Sequence, residues 1–228
     1  MIIALNHKSN LGKDEFKEYI EKMYQIKTNH ELIICPSFIN IGQVSSDKMK
    51  IGSQNVSSYE KGAHTGEINP EQLKSYGVTY SIIGHSERRQ EQKETIEDVR
   101  KKIDILKQNQ ITPILCVGET KEERANKKVK EVLKQEIQTA IDNQGEGIII
   151  AYEPIWSIGT GLIPSNKEIK KTIQYIKELS PKAKVLYGGS VNEENIDVLK
   201  GIDIVDGYLL GGLSLKPDKL QMLLNKIN

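Results

Sequence analysis

The chain has 228 residues, of which 32 are basic and 31 acidic, so its formal net charge is +1. This balance provides no global field that would attract nucleic acid or a membrane surface, and any anion-binding site must be local. The length suffices to bury a large core without disulfides, and one (β/α)-type barrel would use all of it. We therefore predict a single domain over residues 1–228.

The two cysteines, Cys35 and Cys116, lie in strand-like runs that are far apart in the sequence. This placement argues against a disulfide framework or a metal cluster, and reduced core thiols fit a cytoplasmic protein. The apolar run at residues 2–5 ends at Asn6 and is too short for a signal peptide or a spanning helix. We expect a soluble, cytoplasmic protein that holds no metal.

Short runs rich in β-branched residues recur along the chain, and a helical pattern follows each of them. Several runs are apolar throughout instead of alternating, as expected for parallel strands that are buried on both faces. The predicted strands are residues 2–5, 32–35, 50–53, 79–83, 113–117, 148–152, 184–187 and 204–210.

Helical signals occupy the intervals between these strands. Asn69 before Pro70 is typical of an N-cap and a first helical residue, and Gly77 is typical of a helix end. Ser165 with Glu168 forms a candidate capping box. Apolar residues also recur at three- and four-residue steps, as in Phe16, Tyr19, Ile20 and Met23, and in Ile96, Val99, Ile103 and Leu106.

Eight strands that alternate with helices predict either a closed barrel or an open, doubly wound sheet. In a barrel the carboxyl ends of all strands converge on one face, where the following loops build the site, whereas an open sheet would spread them along one edge. The polar residues at the strand ends therefore favour a closed (β/α)8 barrel. These residues are Asn6, His85, Glu153, Ser190 and the pair Gly211 and Gly212.

The stretch from Ala151 to Gly161 carries the strongest single signal. A buried-looking strand leads into Glu153 and Pro154, and the loop beyond them closes through Gly159 and Gly161. Proline stiffens the loop entry, while the glycines allow a sharp turn and bring backbone N–H groups close to a ligand. This arrangement predicts a catalytic base beneath a lid; the alternative is a buried acid beside a structural turn.

Two segments are specific in both composition and spacing. Residues 153–161 read Glu-Pro-Ile-Trp-Ser-Ile-Gly-Thr-Gly, and residues 84–89 read Gly-His-Ser-Glu-Arg-Arg. With them, the whole chain resembles the triosephosphate isomerase family. The resemblance implies a (β/α)8-barrel enzyme of glycolysis and gluconeogenesis that needs no cofactor. Such an enzyme moves a proton between adjacent carbons and so interconverts dihydroxyacetone phosphate and D-glyceraldehyde 3-phosphate.

The resemblance also implies roles for individual residues. Glu153 matches the base, and desolvation under a lid is expected to raise its pKa. His85 matches a neutral imidazole that polarises the substrate carbonyl, because the positive end of the following helix disfavours its protonation. Lys8 and Asn6 match the groups that stabilise the developing oxyanion, and Glu87 matches the acid that positions the lysine.

Phosphate binding is expected to rely on backbone N–H groups. The matching residues are Gly159 in the lid, Ser190, and the pair Gly211 and Gly212, whose place after the last strand is the usual phosphate site of such barrels. By resemblance, the loop from Gln54 to Glu67 docks into a second copy of the chain and forms a homodimer. Thr65 would then order the Asn6 and Lys8 of that neighbour.

Five positions depart from the usual family pattern. His7 and Ser9 flank Lys8 where a large aromatic residue and a methionine are common, and His64 replaces an aromatic residue. Leu213 and Ser157 each stand where alanine is usual. The Ser157 hydroxyl is expected to bond in only one lid state and so to shift the balance between open and closed lids. The chain is also short for the family, so some outer helices are expected to be trimmed.

Two other functions are alternatives to an isomerase. A non-catalytic barrel could bind sugar phosphates as a sensor, but it would have no need for Lys8, His85 and Glu153 together. Another phosphosugar barrel enzyme, such as an epimerase or an indole-forming synthase, would share the phosphate loops but lack the motifs around His85 and Glu153. The sequence therefore favours the isomerase.

Overall fold

Eight parallel strands form a closed barrel in a computed structural model that describes residues 1–141, 143–160 and 162–228. The strands follow one another around the barrel in chain order, and β1 closes it by pairing with β8, with Ile3 opposite Tyr208. This confirms the predicted closed (β/α)8 barrel. The strands are β1 Ile2–Asn6, β2 Glu31–Cys35, β3 Lys50–Ser53, β4 Val78–Ile83, β5 Thr112–Val117, β6 Ile149–Tyr152, β7 Lys184–Tyr187 and β8 Gly207–Leu210.

Helices surround the barrel, and the predicted start signals of two of them are confirmed. The Asn69 side chain accepts a hydrogen bond from the Gln72 N–H (2.8 Å), and Ser165 caps its helix in a reciprocal box with Glu168. The helices are α1 Lys13–Met23, α2 Pro70–Ser75, α3 Ser86–Glu91, α4 Ile96–Gln108, α5 Lys121–Ala125, α6 Val129–Ala140, α7 Asn166–Leu179, α8 Ile196–Leu199 and α9 Pro217–Ile227.

One connection departs from regular barrel geometry, and one strand is shorter than predicted. Between β2 and β3 the described chain forms only a short 3-10 segment, Phe38–Gln43, which agrees with the expected trimming of outer helices. The predicted strand 204–210 is too long, because β8 begins only at Gly207. Val205 lies in the irregular segment before β8 and its side chain is buried. Its apolar character therefore reflects packing and not strand pairing.

The core has two layers, one inside the barrel and one between the strands and the helices. Cys35 and Cys116 lie in the inner layer and are fully buried free thiols, as predicted for core strands. The outer layer collects the apolar helix stripes, including Phe16, Ile103 and Ile173. Among the described helices, none is long and apolar enough to cross a membrane.

Candidate active site

A cavity of about 350 Å³ opens at the carboxyl ends of the strands. Glu87 and Thr65 do not line the cavity, but Glu87 accepts a hydrogen bond from Lys8, which does line it. Loops after β1, β4, β6, β7 and β8 all contribute, so side chains that are distant in sequence meet because the barrel is closed. The cavity brings together eight of the predicted site residues: Asn6, Lys8, His85, Glu153, Gly159, Ser190, Gly211 and Gly212.

Glu153 follows β6 directly and is only 3% exposed. Its backbone N–H donates to the Val117 carbonyl of β5 at 2.8 Å, which continues the strand pairing by one residue. Two glycines leave the space that it occupies. A Cβ on Gly188 would lie 2.8 Å from Glu153 Cγ, and one on Gly118 would lie 1.8 Å from the Glu153 carbonyl oxygen. The position of the carboxylate is therefore set by the neighbouring strand ends.

The Glu153 carboxylate faces the imidazole of His85, with Oε1 3.4 Å from Nε2. His85 caps α3, and its Nδ1 accepts a hydrogen bond from the Glu87 N–H at 3.3 Å. A ring nitrogen that accepts must carry a lone pair, so in the neutral ring the proton sits on Nε2. The N–H of His85 therefore points into the cavity, toward the carboxylate.

The contact between the two groups sets their pKa values in this structure. Burial raises the pKa of Glu153, but His85, the Cys116 thiol and the charge of Lys8 outweigh it, and the net shift is downward. Burial lowers the pKa of His85, but the Glu153 carboxylate outweighs it and the net shift is upward, against the expectation that the start of α3 disfavours protonation. The expected high pKa of Glu153 is therefore wrong for the state in which it touches His85. A ligand that separates the pair would leave desolvation as the main influence on Glu153.

Lys8 lies at a sharp bend just after β1, where its φ of 53° is in the left-handed region. The Asn6 side-chain oxygen accepts the Lys8 N–H at 3.1 Å, and Gln54 Nε2 donates to the Lys8 carbonyl at 2.8 Å. The Lys8 ammonium then donates to Glu87 Oε1 at 2.5 Å. This agrees with the expected positioning of the lysine by Glu87, and it leaves the Asn6 amide as a donor group in the cavity.

The segment predicted to be a lid begins as a 3-10 turn, Ile155–Ser157, and Ser157 is fully buried. The Ser157 hydroxyl donates to the Leu162 carbonyl at 2.5 Å, and the Ser190 hydroxyl donates to the Ser157 carbonyl at 2.5 Å. Gly159 has a φ of 69°, which fits the predicted glycine turn. Gly161, the other glycine of that prediction, lies outside the described residues.

Glu119 lies two residues beyond β5, is fully buried and was not predicted as a site residue. Its carboxylate accepts the Trp156 indole N–H at 3.0 Å, the Tyr152 hydroxyl at 3.1 Å and the Arg124 guanidinium at 3.2 Å. It thereby connects the first turn of the predicted lid to the barrel. Its place just after a strand end, the same signal that identified Glu153, could have revealed it.

Thr65 lies elsewhere, on the exposed loop between β3 and α2. In that loop the rings of Tyr59 and His64 stack at 4.0 Å with an interplanar angle of 10°. The base of the loop is closed by a hydrogen bond from the Ser57 N–H to the Ile68 carbonyl at 2.9 Å. Within one chain, Thr65 therefore does not join the residues of the cavity.

The fold and the cavity define a (β/α)8-barrel protein whose strand ends gather a carboxylate, an imidazole and an ammonium group in one cavity. A family model described as triosephosphate isomerase matches residues 1–227. The triosephosphate isomerase of Francisella tularensis subsp. mediasiatica is 35% identical, with 100% of this chain and 97% of the relative covered. That of Colwellia psychrerythraea is 37% identical, with 97% and 95% covered, and that of the Wolbachia of Brugia malayi is 38% identical, with 99% and 97% covered. The chain belongs to the triosephosphate isomerase family and is an isomerase.

Proposed function

We propose that the chain interconverts dihydroxyacetone phosphate and D-glyceraldehyde 3-phosphate through an enediolate, with Glu153 as the base and neutral His85 as the electrophile. The observation that supports these roles is the approach of Glu153 Oε1 to His85 Nε2 at 3.4 Å inside one cavity that Lys8 also lines. A base and a proton donor at this separation can act on neighbouring atoms of one small substrate.

Glu153 removes a proton from the hydroxyl-bearing carbon beside the carbonyl and returns it to the former carbonyl carbon, while the hydroxyl proton passes to the former carbonyl oxygen. The His85 Nε2–H donates to the carbonyl oxygen, where negative charge develops, and Lys8 and Asn6 add a fixed charge and a further donor. Preorganised donors of this kind are each worth about 3–4 kcal/mol of barrier. Because the carbonyl already acidifies the proton, the reaction requires no metal or organic cofactor.

The phosphate would be held by the backbone N–H groups of Gly159, Ser190, Gly211 and Gly212. Gly212 opens a 3-10 turn, Gly212–Leu215, after β8, and Lys8 Cε lies 3.6 Å from the point where a Gly211 Cβ would be built. The ammonium-bearing side chain is thus adjacent to this turn. One anion could therefore contact both.

Exchange of carbon-bound substrate hydrogen with solvent tests the role of Glu153. The wild type should exchange this hydrogen in step with isomerisation, and Glu153→Gln should lose both activities by at least about a hundredfold. Glu194→Gln is a matched control, since Glu194 lines the cavity mouth and has no proposed role. Full exchange in Glu153→Gln would remove this residue as the base. A wild type that binds sugar phosphates without exchange would indicate a non-catalytic barrel.

We also propose that the protein is a cytoplasmic homodimer that uses the loop from Gln54 to Glu67. The exposed position of Thr65 outside its own cavity is compatible with contact to a second copy. Its partner in that copy would be the bend at Lys8. The buried thiols of Cys35 and Cys116 suit a reducing compartment.

A further inference from the structure

We propose that His7, Tyr19 and Ser214 form a buried positioning network that fixes the Lys8 bend relative to the phosphate-binding turn. This inference rests on the proposed function of those two elements. His7 lies between Asn6 and Lys8, Tyr19 lies on α1, and Ser214 lies on the turn Gly212–Leu215. The three residues are far apart in sequence and are joined by direct hydrogen bonds.

The direction of each hydrogen bond follows from the donor inventory. The Tyr19 hydroxyl lies 2.6 Å from the Ser214 carbonyl oxygen, which can only accept, so the hydroxyl donates its single proton there. Its oxygen also lies 3.0 Å from His7 Nε2 and must therefore accept from that nitrogen. His7 is thus fixed as the tautomer that is protonated at Nε2. The chain of donors runs from His7 through Tyr19 to Ser214.

A third hydrogen bond closes the network into a ring. The Ser214 hydroxyl donates to the Asn6 carbonyl at 3.1 Å, and the chain itself connects Asn6 to His7. The His7 N–H is anchored separately on the Cys35 carbonyl of β2 at 3.1 Å. The ring therefore includes the end of β1, helix α1 and the turn after β8, and it leaves little freedom between the first and last loops of the barrel.

Burial makes the hydrogen bonds of the ring depend on one another. His7 is 1% exposed, Tyr19 5% and Ser214 0%, so water cannot replace a lost partner. Leaving a buried donor unpaired costs more than the net gain of a typical hydrogen bond. The His7 ring also packs edge-on against Tyr19, at a centroid distance of 4.7 Å, and near Phe16 at 5.9 Å. These contacts allow few other orientations of the imidazole.

The His7 imidazole stays unprotonated at neutral pH. Burial lowers the pKa of His7 to about 4. Its Nδ1 is buried and has no hydrogen-bond partner among the described residues, as expected for an unprotonated nitrogen. The imidazole therefore acts as a permanent neutral donor and has no role as a proton shuttle.

The network matters to the reaction because one phosphate must meet groups from both elements that it joins. Lys8 supplies charge from one side, and Gly211 and Gly212 supply N–H groups from the other. If the Lys8 bend and the turn after β8 could move apart, each would keep its own conformation. The phosphate would then have to fix their relative position on binding, which would cost affinity. A purely structural network would instead change stability and leave the affinity of the folded protein unchanged.

The experiment compares Tyr19→Phe, His7→Phe and His7→Gln with the wild type and with Tyr208→Phe. Tyr208 is also a buried tyrosine, and its hydroxyl has no hydrogen-bond partner among the described residues, so its loss is a matched control. Glutamine retains an N–H donor at the position of His7, whereas phenylalanine retains only the ring packing. Each variant is tested for inhibition by inorganic phosphate, for KM and kcat, and for urea unfolding.

We expect Tyr19→Phe and His7→Phe to raise both the inhibition constant of inorganic phosphate and KM by about five- to tenfold, more than they lower kcat. His7→Gln and Tyr208→Phe should remain within about twofold of the wild type in both constants. If Tyr19→Phe does not fold, the comparison of His7→Phe with His7→Gln decides the question. A protonated Nε2 of His7 in ¹⁵N spectra at pH 7 provides a readout that is independent of activity.

The proposal is overturned if His7→Phe is less stable than the wild type but binds inorganic phosphate equally well. It is also overturned if the proton of His7 resides on Nδ1. Failure of the proposed function would be a different result, namely a wild type without isomerase activity. In that case calorimetry with inorganic phosphate would still test the network directly.

Discussion

Glu153 owes its position to an absent side chain as much as to its own contacts. The backbone of Gly188 passes so close that a Cβ there would lie 2.8 Å from Glu153 Cγ and 3.4 Å from Oε1. Burial of Glu153 on its other sides prevents the carboxylate from moving away without disturbing the His85 contact. The geometry of the proposed base is therefore sensitive to single atoms on β7 and its loop.

Gly188→Ala is expected to lower kcat by about 10–100-fold, because a displacement of about 1 Å in a reacting group can cost that much. KM should change little, since the added methyl group meets the Glu153 carboxylate and not the groups that are proposed to bind the phosphate. Steady-state kinetics on a variant shown to be folded provide the measurement. Gly12→Ala is a control, since its Cβ would meet only Glu15 Oε2 at an ordinary 3.5 Å. Unchanged kcat in Gly188→Ala would contradict this account of Glu153.

His7 links the stability of the fold to pH. Its pKa falls from 6.5 to about 4 on folding, so between these values the unfolded chain binds a proton that the folded chain does not. The contribution of His7 to the free energy of unfolding is therefore fully present above pH 6.5. It is lost as the pH drops toward 4, by up to about 3 kcal/mol. Urea unfolding at pH 7 and pH 5 should show a smaller loss for His7→Gln than for the wild type. Equal losses in the two proteins would contradict the assignment.

The predicted lid shows how one side chain can act on a whole element. The Ser157 hydroxyl spans the loop by bonding the Leu162 carbonyl, while the Ser157 carbonyl accepts from Ser190. Ser190 is also proposed to bind the phosphate. Any movement of the lid that separates Ser157 from Leu162 or Ser190 must break these hydrogen bonds, so they favour the present lid state.

Ser157→Ala is expected to shift the lid equilibrium while nearly preserving the chemical step. The hydroxyl donates to the Leu162 carbonyl and also accepts the Ser190 N–H at 3.4 Å. Loss of the shorter of these hydrogen bonds is alone worth about 1 kcal/mol, or about fivefold in the equilibrium. The affinities for substrate and for a transition-state analogue should both change by roughly this factor, with a smaller change in the rate of hydrogen exchange. Ser157→Thr retains the hydroxyl and serves as the control. If Ser157→Ala binds both ligands as the wild type does, the hydroxyl has no part in closure.

The elements themselves were largely predictable from local patterns. The capping residues Asn69 and Ser165 start helices where the sequence places them, because these signals depend only on neighbouring residues. The start of β8 was not predictable, because Val205 is buried in a turn and an apolar residue looks the same in either setting. An apolar run in the sequence therefore predicts burial more reliably than it predicts strand pairing.

Long-range contacts between side chains mark the limit of prediction from the sequence. Closure of the barrel followed from polar residues at the strand ends, since only a closed barrel gathers them. The hydrogen-bonded ring of residues 7, 19 and 214 could not be predicted from the sequence, because its donors and acceptors are far apart in the chain and meet only in the fold. The pKa direction of Glu153 was missed for the same reason: it depends on how closely His85 approaches.

At the scale of the whole molecule, the proposed homodimer has a direct test. Light scattering at micromolar concentration should give twice the 25.7 kDa chain mass. If Thr65 supports the neighbour's Lys8 bend, Thr65→Ala should weaken activity as the dimer loosens on dilution. The control is Thr28→Ala, at a distant half-buried position beside the C-terminal Asn228. A fully active monomer of the wild type would contradict the proposal.

The left-handed backbone of Lys8 has a consequence for any attempt to increase thermostability. A non-glycine residue in this conformation costs roughly 1–2 kcal/mol, and here Asn6 and Gln54 hold it in place by hydrogen bonds. Glycine would relieve that cost but would remove the ammonium group from the cavity. A screen for heat resistance alone would therefore favour loss of the charge, and the trade-off between robustness and turnover is concentrated at this one residue.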